Sequence, residues 1–138
     1  MRVALIGLGM VAETHLAALH AAKGLTLAGV LGRDPSKTQA FAGKAAEVLG
    51  HPVEAFSDAG SIASNPAIDF VIIATPPDAR VALVETLVAA RKPILMEKPI
   101  ERDLSAAKRI VDLCETAGVP LGVVFQHRAR AASLALKR

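Results

Sequence analysis

The chain has 138 residues, 52% of them hydrophobic and only 3% aromatic, which suits one domain with a single core and excludes a module that stacks nucleic-acid bases on aromatic rings. Its net charge of +3 is local, because residues 127–138 hold Arg128, Arg130, Lys137 and Arg138 and no acid, leaving 12 basic residues against 13 acidic ones elsewhere. No basic face for nucleic acid is expected from such a balance.

Apolar β-branched runs alternate with helical stretches along the whole chain. Residues 3–6 form the first expected strand, broken by Gly7 and Gly9 too soon for a signal peptide. A first helix is predicted over residues 11–23 and a second strand over 25–31. Asp34 then has the chemistry of an N-cap, with Pro35 at the first position of a helix reaching Leu49. Residues 53–56 are a short third strand, and Asp58 caps a short helix. Phe70, Val71, Ile72, Ile73 and Ala74 form the continuous apolar run of a central parallel strand. A helix over 80–90 carries Val81, Val84 and Val88 at helical spacing, and a fifth strand covers 94–96. The helix over 105–117 stops at Gly118, with Pro120 beyond, and places the single cysteine, Cys114, on its apolar face as core material. A sixth strand spans 121–125 and a last helix begins near Ala129. This alternation predicts an α/β fold, a doubly wound parallel sheet of strand order 3-2-1-4-5-6 with helices on both faces. No apolar stretch approaches a membrane span, and one cysteine fits a reducing compartment, so a cytoplasmic chain without membrane partners is expected.

Gly7-Leu8-Gly9-Met10-Val11-Ala12 has the form G-x-G-x-x-A between a strand and a helix at the start of the chain. Gly7 permits the tight turn, Gly9 lets backbone approach a pyrophosphate, and Ala12 lets the helix lie close on the sheet. The amides of Leu8, Met10 and Val11 and the helix dipole then face the anion. The end of the second strand selects the dinucleotide. Gly32 stands where an NAD site carries an acid, and Arg33 beside it suits a 2′-phosphate, so NADP is preferred with NAD as the alternative. The opposing reading makes Asp34 a ribose-binding acid, against its simpler role as a cap.

Three further stretches fall at expected strand ends: Thr75-Pro76-Pro77, Glu97-Lys98-Pro99 and Gln126-His127-Arg128. A glutamate and a lysine are poor core material and fit the carboxyl end of a buried strand when they face a ligand cleft; an internal ion pair capping the strand is the alternative. His15 and His20 have no metal-spaced partner and read as surface or packing residues, so no metal site is expected, while His127 adjoins the cleft.

In their order and spacing these motifs resemble the glucose-fructose oxidoreductase, inositol dehydrogenase and rhizopine-catabolism family, Gfo/Idh/MocA, over nearly the whole chain. The resemblance implies a Rossmann domain of an oxidoreductase moving hydride between a nicotinamide cofactor and a sugar, polyol or related hydroxyl compound. It implies that Gly7, Leu8, Gly9, Met10 and Val11 hold the pyrophosphate, next to Gly32, Arg33 and Asp34, the positions already read as candidate contacts to the adenosine ribose. Thr75, Pro76 and Pro77 would floor the cleft, Glu97 would lie near the nicotinamide ribose, Lys98 would be the catalytic lysine, and Gln126 would lie at the nicotinamide end. Arg80 stands where the family often has a histidine near the cofactor. The resemblance further implies that residues 1–128 are the cofactor domain and that 129–138 begin a helix leading to a second domain. That domain would supply the substrate pocket and the general acid/base. Without it, a non-catalytic dinucleotide-binding or sensing module is the other reading. An apolar patch on the last helix, including Leu134 and Leu136, would favour a weak homo-oligomer.

Overall fold

A computed structural model of the chain describes residues 1–137. The strands are β1 (Arg2–Ile6), β2 (Thr26–Leu31), β3 (Glu54–Ala55), β4 (Phe70–Ile73), β5 (Ile94–Glu97) and β6 (Leu121–Val124). The α-helices are α1 (Ala12–Ala21), α2 (Pro35–Leu49), α3 (Ala59–Ser64), α4 (Arg80–Ala89), α5 (Leu104–Ala117) and α6 (Ala131–Leu136). All strand pairs are parallel and the sheet order is β3-β2-β1-β4-β5-β6, as expected from the sequence. The order reverses between β1 and β4, which opens a crevice beyond their carboxyl ends.

Alternation along β1 divides the core. Val3 and Leu5 pack with Leu16 and Leu19 of α1 and Ala42 and Ala45 of α2 on one face. Ala4 and Ile6 pack with Ile62 of α3, Val84 and Leu87 of α4, and Ile110 and Cys114 of α5 on the other. The central strands are buried on both faces, which explains their unbroken apolar sequences. Small residues at Ala12, Ala42 and Ala45 let α1 and α2 lie close to the sheet. Cys114 is 2% exposed, and burial pushes its thiol pKa up, in keeping with a packing role.

Helix ends follow the expected chemistry. The Asp34 carboxylate accepts the Lys37 amide at 3.0 Å, with Pro35 following, and Asp58 accepts the Ser61 amide at 2.8 Å. Gly118 ends α5 in the left-handed region at φ 63°. One boundary needs correction. β3 is only two residues long, pairing Glu54 with Gly29 and Ala55 with Val30, and Phe56 adds only its amide, which donates to the Val30 carbonyl at 2.9 Å. After β6 a 3₁₀ turn occupies Gln126–Ala129, and the expected last helix, α6, starts two residues later at Ala131 with no buried residue. No helix among the described residues is long and apolar enough to cross a membrane.

Candidate functional site

Parallel strands bring every carboxyl end to one edge of the sheet. Ile6 is in register with Leu31 of β2 and Ile73 of β4, Ile73 with Met96 of β5, and Glu97 with Val124 of β6. The glycine loop, Gly32-Arg33, Thr75-Pro76-Pro77, Glu97-Lys98 and Gln126 therefore sit along the same edge, as the sequence predicts.

At the centre, Gly7 has φ 101° and its amide donates to the Leu31 carbonyl at 2.8 Å. A Cβ there would lie 2.5 Å from the Ala74 carbonyl carbon and the Thr75 nitrogen, so glycine is required by close approach as well as by backbone angle. Gly9 differs, since a Cβ there would meet nothing within 4 Å. Its side faces open space, the place a ligand would fill. The amides of Gly9, Met10 and Val11 make no backbone hydrogen bond among the described residues, whereas the next amide, of Ala12, donates to the Gly9 carbonyl. Three free amides at a helix N-terminus fit an anion. Thr75 Oγ1, just behind the loop, is buried with no hydrogen-bond partner, an unmet polar atom. The residues present thus fit a dinucleotide phosphate.

At the end of β2, Gly32 is closely packed: a Cβ would stand 3.0 Å from Leu8 Cδ1 and 3.0 Å from Thr38 Oγ1. Thr38, 2% exposed, explains this, because its hydroxyl accepts from the Gly32 amide and donates to the Asp34 carbonyl. Gly32 therefore has a steric reason in addition to the absence of a carboxylate. Arg33 is exposed beside it, and Asp34 is engaged as the cap of α2.

The far side of the crevice is held by two residues whose roles the sequence reading placed elsewhere. Arg80, expected among the cofactor contacts, is turned toward the main chain of the strand ends. It is 2% exposed and lies behind the strand ends, donating from Nε and Nη2 to the Thr75 carbonyl at 3.2 and 2.6 Å, and from Nη1 to the Glu97 and Pro99 carbonyls. Its donors are used on main-chain oxygens, so it braces β4 and β5. Burial lowers its pKa, opposed by Glu101 and Glu97. His15, expected to have only a surface or packing role, instead extends across from α1, and its Nε2 lies 3.0 Å from Glu97 Oε1. The signal for this was its place three residues after Ala12, on the flank of the buried Ala12, Leu16 and Leu19 stripe near the carboxyl edge.

Lys98 and Pro76 are exposed at the crevice, Pro77 is half-buried, and Gln126 is exposed in the turn after β6. In that turn the Arg128 guanidinium stands 5.6 Å from the centre of the Phe125 ring. A separate groove of about 560 Å³ between α4 and α5, lined by Val88, Arg109, Leu113 and Ala117 among others, shares no residue with this edge.

Comparison with known proteins follows the same lines. Residues 1–125 match the profile of the Gfo/Idh/MocA oxidoreductase family, NAD-binding Rossmann fold. D-apiose dehydrogenase of Rhizobium rhizogenes is 33% identical over 124 residues, 89% of this chain and 34% of its own length. Scyllo-inositol dehydrogenase from Lactobacillus casei, solved with NAD(H) and scyllo-inositol, superposes over 99% of this chain and 39% of its own with TM-score 0.84 and 20% identity. Biliverdin reductase from Synechocystis sp. PCC 6803, solved with biliverdin and NADP+, gives TM-score 0.78 at 23% identity over 99% of this chain and 41% of its own. The chain thus spans from 34% to 41% of the length of these proteins. With its glycine loop, sheet order and Glu97-Lys98 edge in place, the chain belongs to the Gfo/Idh/MocA oxidoreductase family, whose NAD-binding Rossmann domain it forms.

Proposed function

We propose that the chain binds NADP in preference to NAD and serves an oxidoreductase acting on a hydroxyl group of a sugar or polyol. The observation that carries this is the open N-terminus of α1, with free amides at Gly9, Met10 and Val11, on the same sheet edge as Glu97 and Lys98. The loop amides would take the pyrophosphate, and Arg33, exposed beside Gly32, would take the adenosine 2′-phosphate. Thr75, Pro76 and Pro77 would floor the crevice, Glu97 would accept from the nicotinamide ribose, and Gln126 would border the nicotinamide end. The bound nicotinamide would supply the hydride chemistry. Lys98, exposed at the end of β5, would reach the substrate oxygen and stabilise charge developing there, or hold its proton.

The polyol and sugar class is supported by the D-apiose dehydrogenase relative and by the family match. The cofactor preference is tested by titrating NADPH and NADH against the chain and its Arg33→Ala variant. A charge-assisted contact to the 2′-phosphate contributes about 1.5–3 kcal/mol, so NADPH should bind roughly 10-fold or more tightly, with the difference removed in the variant. Equal affinities untouched by the substitution would reject the NADP assignment.

One observation favours the alternative of a dinucleotide-binding module without turnover. Lys98 makes no side-chain hydrogen bond or ion pair among the described residues. Assays of the 138-residue chain with polyols and sugars and either cofactor separate the two readings. Lys98-dependent turnover would establish the enzyme from this chain alone.

A further inference from the structure

His15 stands one turn into α1 with its ring only 13% exposed, and the Glu97 side chain is 14% exposed. A polar side chain buried to that degree is held by its partner, and here the partner is the carboxylate on the neighbouring strand end. At 3.0 Å, His15 Nε2 donates to Glu97 Oε1, which requires the proton on Nε2 in the neutral ring. Glu97 Oε2 has no hydrogen bond from any described residue. The main chain of the same residue is fixed from behind, since Arg80 Nη1 donates to the Glu97 carbonyl oxygen. Glu97 is therefore held at two points, with one carboxylate oxygen occupied and one free.

We infer that His15 is a positioning residue: it fixes the Glu97 carboxylate so that Oε2 is presented to the vicinal hydroxyls of a ribose lying across the ends of β4 and β5. This rests on the reading of the crevice as a dinucleotide site. A free carboxylate on a flexible side chain can turn both oxygens to water, and a diol must then order it on binding. One oxygen tied to an imidazole N–H removes that freedom beforehand and leaves an acceptor at a defined point. The tie also joins the helix that carries the phosphate loop to the strand that carries Lys98, so the two ends of a bound dinucleotide are set in register by one hydrogen bond. Leucine at position 15 would keep the packing beside Leu16 and lose the donor, whereas glutamine can place an N–H near the position of Nε2.

The test compares His15→Leu, His15→Gln and Glu97→Gln with the parent chain, using NADPH, NADH and ADP as probes. ADP carries the pyrophosphate and adenosine but no second ribose. His15→Leu should weaken binding of the tighter dinucleotide about 10-fold, in line with loss of a hydrogen bond to a charged group, and leave ADP binding unchanged. His15→Gln should restore dinucleotide affinity to within about threefold of the parent. The double variant His15→Leu, Glu97→Gln should bind no more weakly than the weaker single one, because His15 acts only through the Glu97 carboxylate. Nitrogen NMR of the ring should show the Nε2–H tautomer in the parent, and this should be lost or mixed in Glu97→Gln. Equal losses for ADP and dinucleotide in His15→Leu would assign His15 to the loop or the fold and overturn the proposal. Unchanged dinucleotide binding in that variant, with the parent binding normally, would overturn it as well. A parent chain that binds neither ADP nor a dinucleotide would instead defeat the dinucleotide reading on which the proposal stands.

Discussion

The guanidinium of Arg80 is joined to the main chain of Glu97, with Nη1 donating to the Glu97 carbonyl oxygen across 17 residues of sequence. The same nitrogen serves Pro99, and the other two nitrogens serve Thr75, so one buried cation ties the turn after β4 to the turn after β5. Main-chain oxygens at strand ends have no ladder partner, and a cation with five donors can satisfy several of them at once.

Replacement of Arg80 by methionine should therefore cost about 2–4 kcal/mol, since it strands buried carbonyls that water reaches poorly. Lysine should recover only part, because its point charge cannot span both turns. Urea unfolding followed by circular dichroism measures this, as the chain has no Trp or Tyr to report by fluorescence. Dinucleotide affinity should fall with stability, because Glu97 and Lys98 lose their brace. A methionine variant as stable as the parent would mean that neighbouring amides or water satisfy those carbonyls instead.

The two loop glycines should separate folding from binding. Gly7→Ala forces a Cβ to within 2.5 Å of the main chain of Ala74 and Thr75 at φ 101°, and backbone cannot yield as a side-chain tip can. A loss of about 3 kcal/mol or more, or failure to fold, is expected. Gly9→Ala meets nothing within 4 Å and has no positive φ, so the melting temperature of the ligand-free chain should stay within about 2 °C of the parent. Its dinucleotide affinity should nonetheless drop, because the methyl fills the space where phosphate approaches. A Gly9→Ala chain that binds as the parent does would place the phosphate elsewhere.

The parts of this site that were legible in sequence are those set by local chemistry. Asp34-Pro35, Asp58 and Gly118 mark helix ends through hydrogen bonds to their own neighbours, and Gly7 sits in a turn at an angle only glycine takes easily. Strand order follows from alternation and right-handed crossovers. His15 and Arg80 were not legible because their partners, Glu97 and the carbonyls of Thr75, Glu97 and Pro99, depend on how α1 and α4 rotate against the sheet. A sequence period of 3.6 defines the buried stripe of a helix but not which flank reaches a given strand end. The steric role of Gly32 was hidden for a similar reason, since it depends on Leu8 and Thr38 meeting over one Cα.

Acid should loosen the helix starts at Asp58 and Asp103. The Ser61 hydroxyl and amide, with the Ser57 hydroxyl, hold the Asp58 carboxyl below its ordinary value of 3.8. The Ala106 amide and the Ser105 hydroxyl do the same for Asp103. Folded values below the unfolded ones mean the stabilisation is complete above pH 3.8 and is lost as pH falls through the depressed folded values. Asp58→Asn with Asp103→Asn keeps acceptors at both caps and removes their titration, so the fall in stability below pH 4 should be shallower than in the parent. Asp103→Ala, which removes the acceptor, should lower the melting temperature by roughly 3–5 °C at pH 7. Parallel acid limbs for the Asn variant and the parent would move the titrating groups elsewhere.

The last prediction concerns the turn Gln126–Ala129 and α6. Leu134 is 52% exposed and Leu136 90% exposed, and no residue of α6 is buried. Six residues form too short a helix to persist without tertiary contacts, and α6 packs chiefly on the turn before it. β6, the edge strand beside it, is half-buried along its whole length, and Phe125 is 54% exposed. Phe125, Leu134 and Leu136 are therefore apolar surface that the described residues leave uncovered. Two outcomes follow from that physics: amides of α6 exchange with solvent at rates near those of an unfolded peptide, or the patch pairs with a second copy as concentration rises. Hydrogen exchange and light scattering between about 10 μM and 1 mM distinguish them, with a chain ending at Arg128 as the comparison. Loss of residues 129–138 should abolish any association and change the unfolding midpoint little, because residues 129–137 contribute no buried side chain. Full protection of α6 in a strictly monomeric chain would defeat both outcomes, and would mean that the sheet itself buries this helix in solution.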